Sequence, residues 1–91
     1  RYEYSLSIAN YCKEGMEKIG IPAWSNQNAI TVVIPKMPKS IQLKWQLATE
    51  GDITHIICMP NVTKAQIDEL ITDIQNSEDK DAIDESFEFD F

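Results

Sequence analysis

The chain has 91 residues, of which 43% are hydrophobic and 25% are charged, and its net charge is −7. A chain of this length forms one small domain, and this hydrophobic content excludes disorder along the whole chain. Residues 1–75 hold eight acidic and seven basic side chains, whereas residues 76–91 hold seven acidic side chains and one lysine. We therefore expect a nearly neutral folded domain at 1–75 and an acidic, disordered tail at 76–91. Such a tail repels phosphate backbones, which argues against a nucleic-acid partner.

Neither a membrane span nor a secretory signal is evident in the sequence. No apolar stretch reaches the roughly 20 residues that a spanning helix needs, and no basic-then-apolar signal peptide opens the chain. Cys12 and Cys58 lie among apolar residues. This context indicates reduced thiols in the core of a cytoplasmic protein, with a disulfide as the alternative. Because the chain starts at Arg1, without Met and inside a helical pattern, we expect a fragment of a longer polypeptide.

The first half of the chain predicts one helix and two extended segments. Apolar residues recur at helical spacings over residues 4–19, and Gly20 followed by Pro22 ends this helix. Residues 21–24 form a short extended segment that Pro22 confines to an edge or to the start of a strand. Residues 29–34 are rich in β-branched side chains without polar alternation, which predicts a strand covered on both faces.

The second half predicts a helix, a strand and a final helix. Ser40 is expected to cap a helix that runs through Ala48 and ends at Gly51. A second β-rich segment covers residues 53–59. Thr63 then forms a capping box with the glutamine three residues later, and apolar residues follow at i, i+3, i+4 and i+7. Those apolar residues are Ile67, Leu70, Ile71 and Ile74.

The predicted element order is α-β-β-α-β-α, which indicates an α+β fold. A small antiparallel sheet with helices packed on one face is the economical arrangement of these elements. The other face of so small a sheet needs cover. We expect it to be an interface within a larger protein.

The chemistry-bearing residues predict no catalytic, cofactor-binding or metal-binding site in this chain. His55 is the only histidine and lies within a strand, without a nucleophile or an orienting carboxylate beside it. We interpret His55 as a hydrogen-bonded structural or interface residue. Trp24 and Trp45 have no interleaved basic residues, so they are interpreted as core or interface anchors rather than as a nucleic-acid platform.

Two segments carry a resemblance to a known family. Residues 44–55 read KWQLATEGDITH and residues 59–63 read MPNVT, after an ITVVIP strand at residues 30–35. In this order and spacing they resemble the C-terminal small domain of the group II pyridoxal-phosphate (PLP) decarboxylases that act on histidine or serine. The resemblance covers residues 4–75.

The resemblance implies a homodimeric fold-type I enzyme that converts histidine to histamine, or serine to ethanolamine, with release of CO₂. It places PLP on a lysine of a large domain that this chain lacks, where the cofactor accepts the electrons of the broken bond. The remainder of the polypeptide, the second subunit and the amino-acid substrate are the implied partners. Trp45, His55 and Met59 are interface candidates, and no catalytic residue is carried over.

One further observation bears on function. Arg1 is the only arginine, so the domain offers no guanidinium clamp for a substrate carboxylate, which favours decarboxylation over transamination. Two alternatives remain open. One is a free-standing regulatory α/β module that binds a small molecule, and the other is an interaction segment that uses the alternating aromatic and acidic residues 87–91.

Overall fold

Within the described residues, the fold consists of three antiparallel strands and three helices. This computed structural model describes residues 2–26 and 29–77, together with Ile83 and Phe89. The elements, in chain order, are α1 (Tyr2–Lys18), β1 (Thr31–Pro35), α2 (Lys39–Trp45), β2 (Ala48–Glu50), β3 (Ile53–Ile57) and α3 (Lys64–Asn76). The sheet order is β1-β3-β2, with β3 pairing antiparallel to both neighbours.

The register of the sheet defines its inner face. Val32 lies opposite Ile56, and Ile34 lies opposite Thr54. Side chains alternate between the faces of a strand, so these four point to the same side, and none is more than 5% exposed. The hydroxyl of Thr54 accepts a hydrogen bond of 3.2 Å from the backbone N–H of Met37, which satisfies this buried polar group.

Helices α1 and α3 cover the inner face of the sheet. Ile8, Cys12 and Met16 of α1 are fully buried and share one core cluster with Ile67, Leu70 and Ile74 of α3. The two helices pack closely because a glycine lies at their contact. A methyl group added at Gly15 would lie 2.5 Å from Cδ1 of Ile71. The predicted α+β fold, a small antiparallel sheet with helices on one face, is confirmed.

The order of elements differs from the prediction first at residues 21–24. This segment makes a single bridge to β1, in which Trp24 and Val33 exchange hydrogen bonds of 2.8 and 2.7 Å. Pro22 has no N–H to extend the ladder. Ile21 instead donates to the carbonyl of Met16 at the end of α1. The segment is therefore a buried connection rather than a strand.

The second difference follows Trp45, where α2 ends well before the predicted end at Gly51. Gln46 adopts the left-handed conformation (φ 52°), and its N–H and that of Leu47 both donate to the carbonyl of Gln42. Left-handed residues end helices in this way, and glycine is the usual choice. The chain turns, and Ala48–Glu50 pairs with β3 as the strand β2. The observed order is thus α-β-α-β-β-α.

The sequence predicted an N-terminal cap for α2 and another for α3, and only the cap of α3 is correct. Ser40 lies inside α2, whose N-cap is Pro38 without a side-chain hydrogen bond, so the predicted Ser40 cap is wrong. The predicted capping box of α3 is confirmed. Gln66 N–H donates to the Thr63 hydroxyl at 3.2 Å, and Thr63 N–H donates to the Gln66 side chain at 2.9 Å.

The predicted acidic tail at 76–91 lies largely outside the described residues, as does Arg1. Within that stretch, Asn76 ends α3, Ser77 follows as its C-cap, and Ile83 is 7% exposed and belongs to the core cluster. Among the described residues, no helix combines the length and the apolar character that a membrane crossing requires.

Candidate functional site

An open groove lies between the β2 side of the sheet and the start of α3. Its volume is about 270 Å³, and we call it the edge groove. Trp45, Leu47, His55, Ile57, Val62 and Leu70 are among the residues that line it, and no lining residue carries a formal charge. The groove exists because β2 is short. Its pairing with β3 ends at Ala48 opposite His55, so no residue of β2 lies opposite Ile57.

Trp45 forms one wall of the edge groove and is held there by α3. Its indole Nε1 donates a 2.9 Å hydrogen bond to Asp73, which also forms a 2.7 Å salt bridge with Lys44. The hydrogen bonds from Lys44 and Trp45 lower the pKa of Asp73 below its ordinary value of 3.8. The same contact raises the pKa of Lys44. The lysine is therefore held protonated, and α2 is tied to α3.

His55 lies in the middle of β3, between Val33 and Ala48 of the neighbouring strands. Its Nε2 atom is buried and has no hydrogen-bond partner among the described residues. The sequence interpretation included a hydrogen-bonded histidine, and the structure does not supply that bond at Nε2. A buried polar atom without a partner is costly. Its position beside the groove fits the interface interpretation instead.

Met59, the third interface candidate, lies just beyond β3 and close to the groove. It is 50% exposed, and Ile57 is 51% exposed. The Met59 carbonyl accepts a 2.9 Å hydrogen bond from Val62 N–H. Tyr4 of α1 donates from its hydroxyl to the Val62 carbonyl at 2.9 Å. Trp45 and His55 therefore line the groove together, and Met59 lies on the surface that continues from it.

The cysteines form no nucleophilic site. Both thiols are free and fully buried in the core cluster, as predicted. A hydrogen bond to the Cys58 thiol, together with burial, raises the pKa of Cys12. The same hydrogen bond lowers the pKa of Cys58, but both sulfur atoms are fully buried and closed to a substrate. Across residues 2–26 and 29–77, no cluster of three or more His, Cys, Asp or Glu side chains is arranged to hold a metal ion.

Sequence reasoning identified part of the edge groove and missed the rest. Trp45 and His55 were singled out, whereas Val62, Gln66 and Leu70 were assigned only to capping or to the core. The left-handed turn at Gln46 brings α2 and β2 to the start of α3, and nothing in the local sequence indicated it. The exposure of Ile57 and Met59 is visible only in the structure, since the sequence indicated residues 53–59 simply as a β-rich segment.

The chain is similar to part of several histidine decarboxylases. It is 44% identical to the enzyme of Mesorhizobium japonicum over 69 residues, which cover 76% of this chain and 18% of the relative. It is also 44% identical to the enzyme of Vibrio campbellii over 70 residues. Identity to the Morganella morganii enzyme is 41% over 75 residues, which cover 81% of this chain and 20% of that relative. The chain thus spans about a fifth of the length of the curated relatives it matches.

Solved structures share the fold of this chain. L-methionine decarboxylase from Streptomyces sp. 590, in its internal aldimine form, superposes with a TM-score of 0.70 and 22% identity over 87% of this chain and 19% of that one. The complex of that enzyme with L-methionine methyl ester gives a TM-score of 0.68. No protein-family model matches the chain. The resemblance predicted from residues 44–63 is confirmed: the chain is similar to a part of several histidine decarboxylases, and it shares its fold with a part of L-methionine decarboxylase.

Proposed function

We propose that this chain is the small domain of a PLP-dependent amino-acid decarboxylase, a carboxy-lyase that releases CO₂ from histidine and forms histamine. The observation that carries the proposal is the 44% identity to histidine decarboxylase over three quarters of the chain. Serine, with ethanolamine as product, is the second substrate to consider, because the sequence resemblance covers decarboxylases of both amino acids.

The described residues do not fit a PLP site of their own. A cofactor lysine must be able to lose its proton, and burial usually lowers its pKa for that purpose. Lys18, Lys36, Lys39 and Lys64 are exposed, and Lys13 is partly exposed on α1. Lys44 is exposed too, and its hydrogen bond to Asp73 raises its pKa. PLP supplies the electron sink for loss of CO₂, and we place it in the part of the enzyme outside this chain.

The role of this domain is to support that catalytic part. We infer that it packs against the large domain, helps to shape the substrate entrance and contributes to the contacts of a homodimer. Its described residues contain no arginine. These residues therefore supply no guanidinium group to clamp the substrate carboxylate, and such a clamp would stabilise the group that must leave. The free, buried Cys12 and Cys58 fit a reducing compartment, so we place the enzyme in the cytoplasm.

The test uses the full-length polypeptide, purified with PLP and incubated separately with histidine, serine and methionine. Chromatography of the amine products and measurement of released CO₂ give the substrate directly. Histamine and CO₂ in equal amounts are the expected result. Turnover by transamination, detected as the 2-oxo acid, would contradict the proposal, as would the absence of any amine. The enzyme stripped of PLP is the control and should be inactive until the cofactor is restored.

A further inference from the structure

The edge groove is one part of a larger uncovered apolar surface. Ile57 lines the groove and is half exposed, and Met59 follows it with the same exposure. Val62 lies between the groove and Tyr4, which is 44% exposed. The exposed surface therefore runs from Ile57 at the groove to Tyr4 in the first turn of α1. Contiguous exposed apolar surfaces of this kind mark places where another part of a protein is bound.

The polar content of this surface is low. His55 lines the groove, but its Nε2 atom is already buried, so it is closed to a partner as well as to water. The other lining side chains are apolar or uncharged amides. A segment that fits the groove therefore presents mainly apolar side chains. A strongly acidic segment such as residues 78–90 gains no charge partner there.

We propose that the edge groove and the surface of Ile57, Met59 and Tyr4 are where this domain docks onto the large domain of its own polypeptide. The inference rests on the proposed function. The relatives are about five times longer than the matched region, so most of their chain is available to cover this surface. A partner on the same polypeptide has a high effective concentration.

Hydroxyl-radical footprinting of the full-length protein tests the proposal, with mass spectrometry to locate oxidation. Met59 is 50% exposed in this domain, so exposure alone predicts about a twofold slower oxidation than in the urea-unfolded protein. Docking excludes water from interface side chains. Met59 and Ile57 should then be oxidised at least about tenfold more slowly than in the urea-unfolded protein. Oxidation of Met59 at the twofold level would overturn the proposal.

A pair of matched variants shows which surface is responsible. Ile57→Asp and Leu43→Asp each place a carboxylate at an exposed aliphatic position, and Leu43 of α2 is 68% exposed and does not line the groove. In the full-length protein, Ile57→Asp should return the oxidation of Met59 to the twofold level. Leu43→Asp should leave its protection unchanged. Equal effects of the two variants would contradict the assignment of the surface.

Dilution separates the large domain from a second copy as the occupant. Protection by the same polypeptide does not depend on concentration, whereas protection by a second copy disappears when the protein dissociates. Loss of protection on dilution to monomer would therefore overturn the proposal. The measurement needs no substrate. An active decarboxylase with an unprotected Met59 refutes only the docking surface, and a protected Met59 without decarboxylation refutes only the proposed function.

Discussion

The interior between the sheet and α1 is closed by the chain itself, whereas the edge groove is left open. On the closed side, Ile8, Val32 and Ile34 are fully buried, and the buried hydroxyl of Thr54 has its partner. On the open side, Ile57 is half exposed, and Nε2 of His55 has no partner among the described residues. The difference indicates a domain that folds around one core and leaves a second apolar surface for another part of the protein.

The largest expected effect is on the free energy of unfolding. It is measured by truncating one core residue on each side. Ile34→Ala removes a fully buried side chain from a closed core, and it should lower the free energy of unfolding by about 3–4 kcal/mol. Leu70→Ala removes a side chain that also lines the groove. The vacated space opens to water rather than forming a closed cavity, so its cost should be about 2–3 kcal/mol. Urea denaturation followed by tryptophan fluorescence measures both.

Leu43→Ala is the control for these two substitutions. Leu43 is 68% exposed, so its truncation should change stability by less than about 0.5 kcal/mol. A greater loss for Leu70→Ala than for Ile34→Ala would contradict the division into a closed and an open side.

Thr63→Ala tests the cap that begins α3 beside the groove. The substitution removes the acceptor for Gln66 N–H and should cost about 1 kcal/mol. Thr63→Ser keeps the hydroxyl and should lose much less. The same denaturation assay reports both variants, and an equal loss for alanine and serine would show that the methyl group, rather than the cap, is what matters.

Gly15→Ala sharpens the description of the contact between α1 and α3. Alanine favours a helix over glycine by about 1 kcal/mol, but its methyl group would meet Cδ1 of Ile71. That atom is the end of a flexible side chain, so it can rotate away at modest cost, and the net change should lie within about 1 kcal/mol. Ile71→Val removes the atom concerned. The double variant should be more stable than the sum of the two single effects by about 1 kcal/mol, and strict additivity would contradict the contact.

The smallest effect is the pH dependence of the link between α2 and α3. Asp73 has a lowered pKa, so its stabilising contribution is present above pH 3.8 and is lost as the pH falls through the lowered value. Trp45 fluorescence, recorded from neutral pH down into this range, should show the loss of the indole hydrogen bond. Asp73→Asn removes the titrating group, so that change should disappear. An unchanged acid transition in Asp73→Asn would exclude Asp73 as its cause.

Regular patterns in the sequence were sufficient to predict most of the fold. The periodicity of α1 and α3 and the capping box at Thr63 depend on neighbouring residues, so they were visible locally. The turn at Gln46 was not, because a non-glycine residue in the left-handed conformation depends on the tertiary structure that holds it. The strand β2 forms directly after that turn, so it was missed for the same reason. The edge groove was also beyond prediction, since it forms where α2, β3 and α3 meet and depends on how far β2 extends.

The central claim is that this domain supports a reaction whose cofactor is held elsewhere in the polypeptide. Borohydride reduction of the full-length holoenzyme fixes PLP to its lysine, and peptide mass spectrometry then locates that lysine. We expect the labelled lysine to lie outside residues 1–91, with no label on any of the seven lysines of this chain. A pyridoxyl group on a lysine of this chain, present in proportion to activity, would contradict the account.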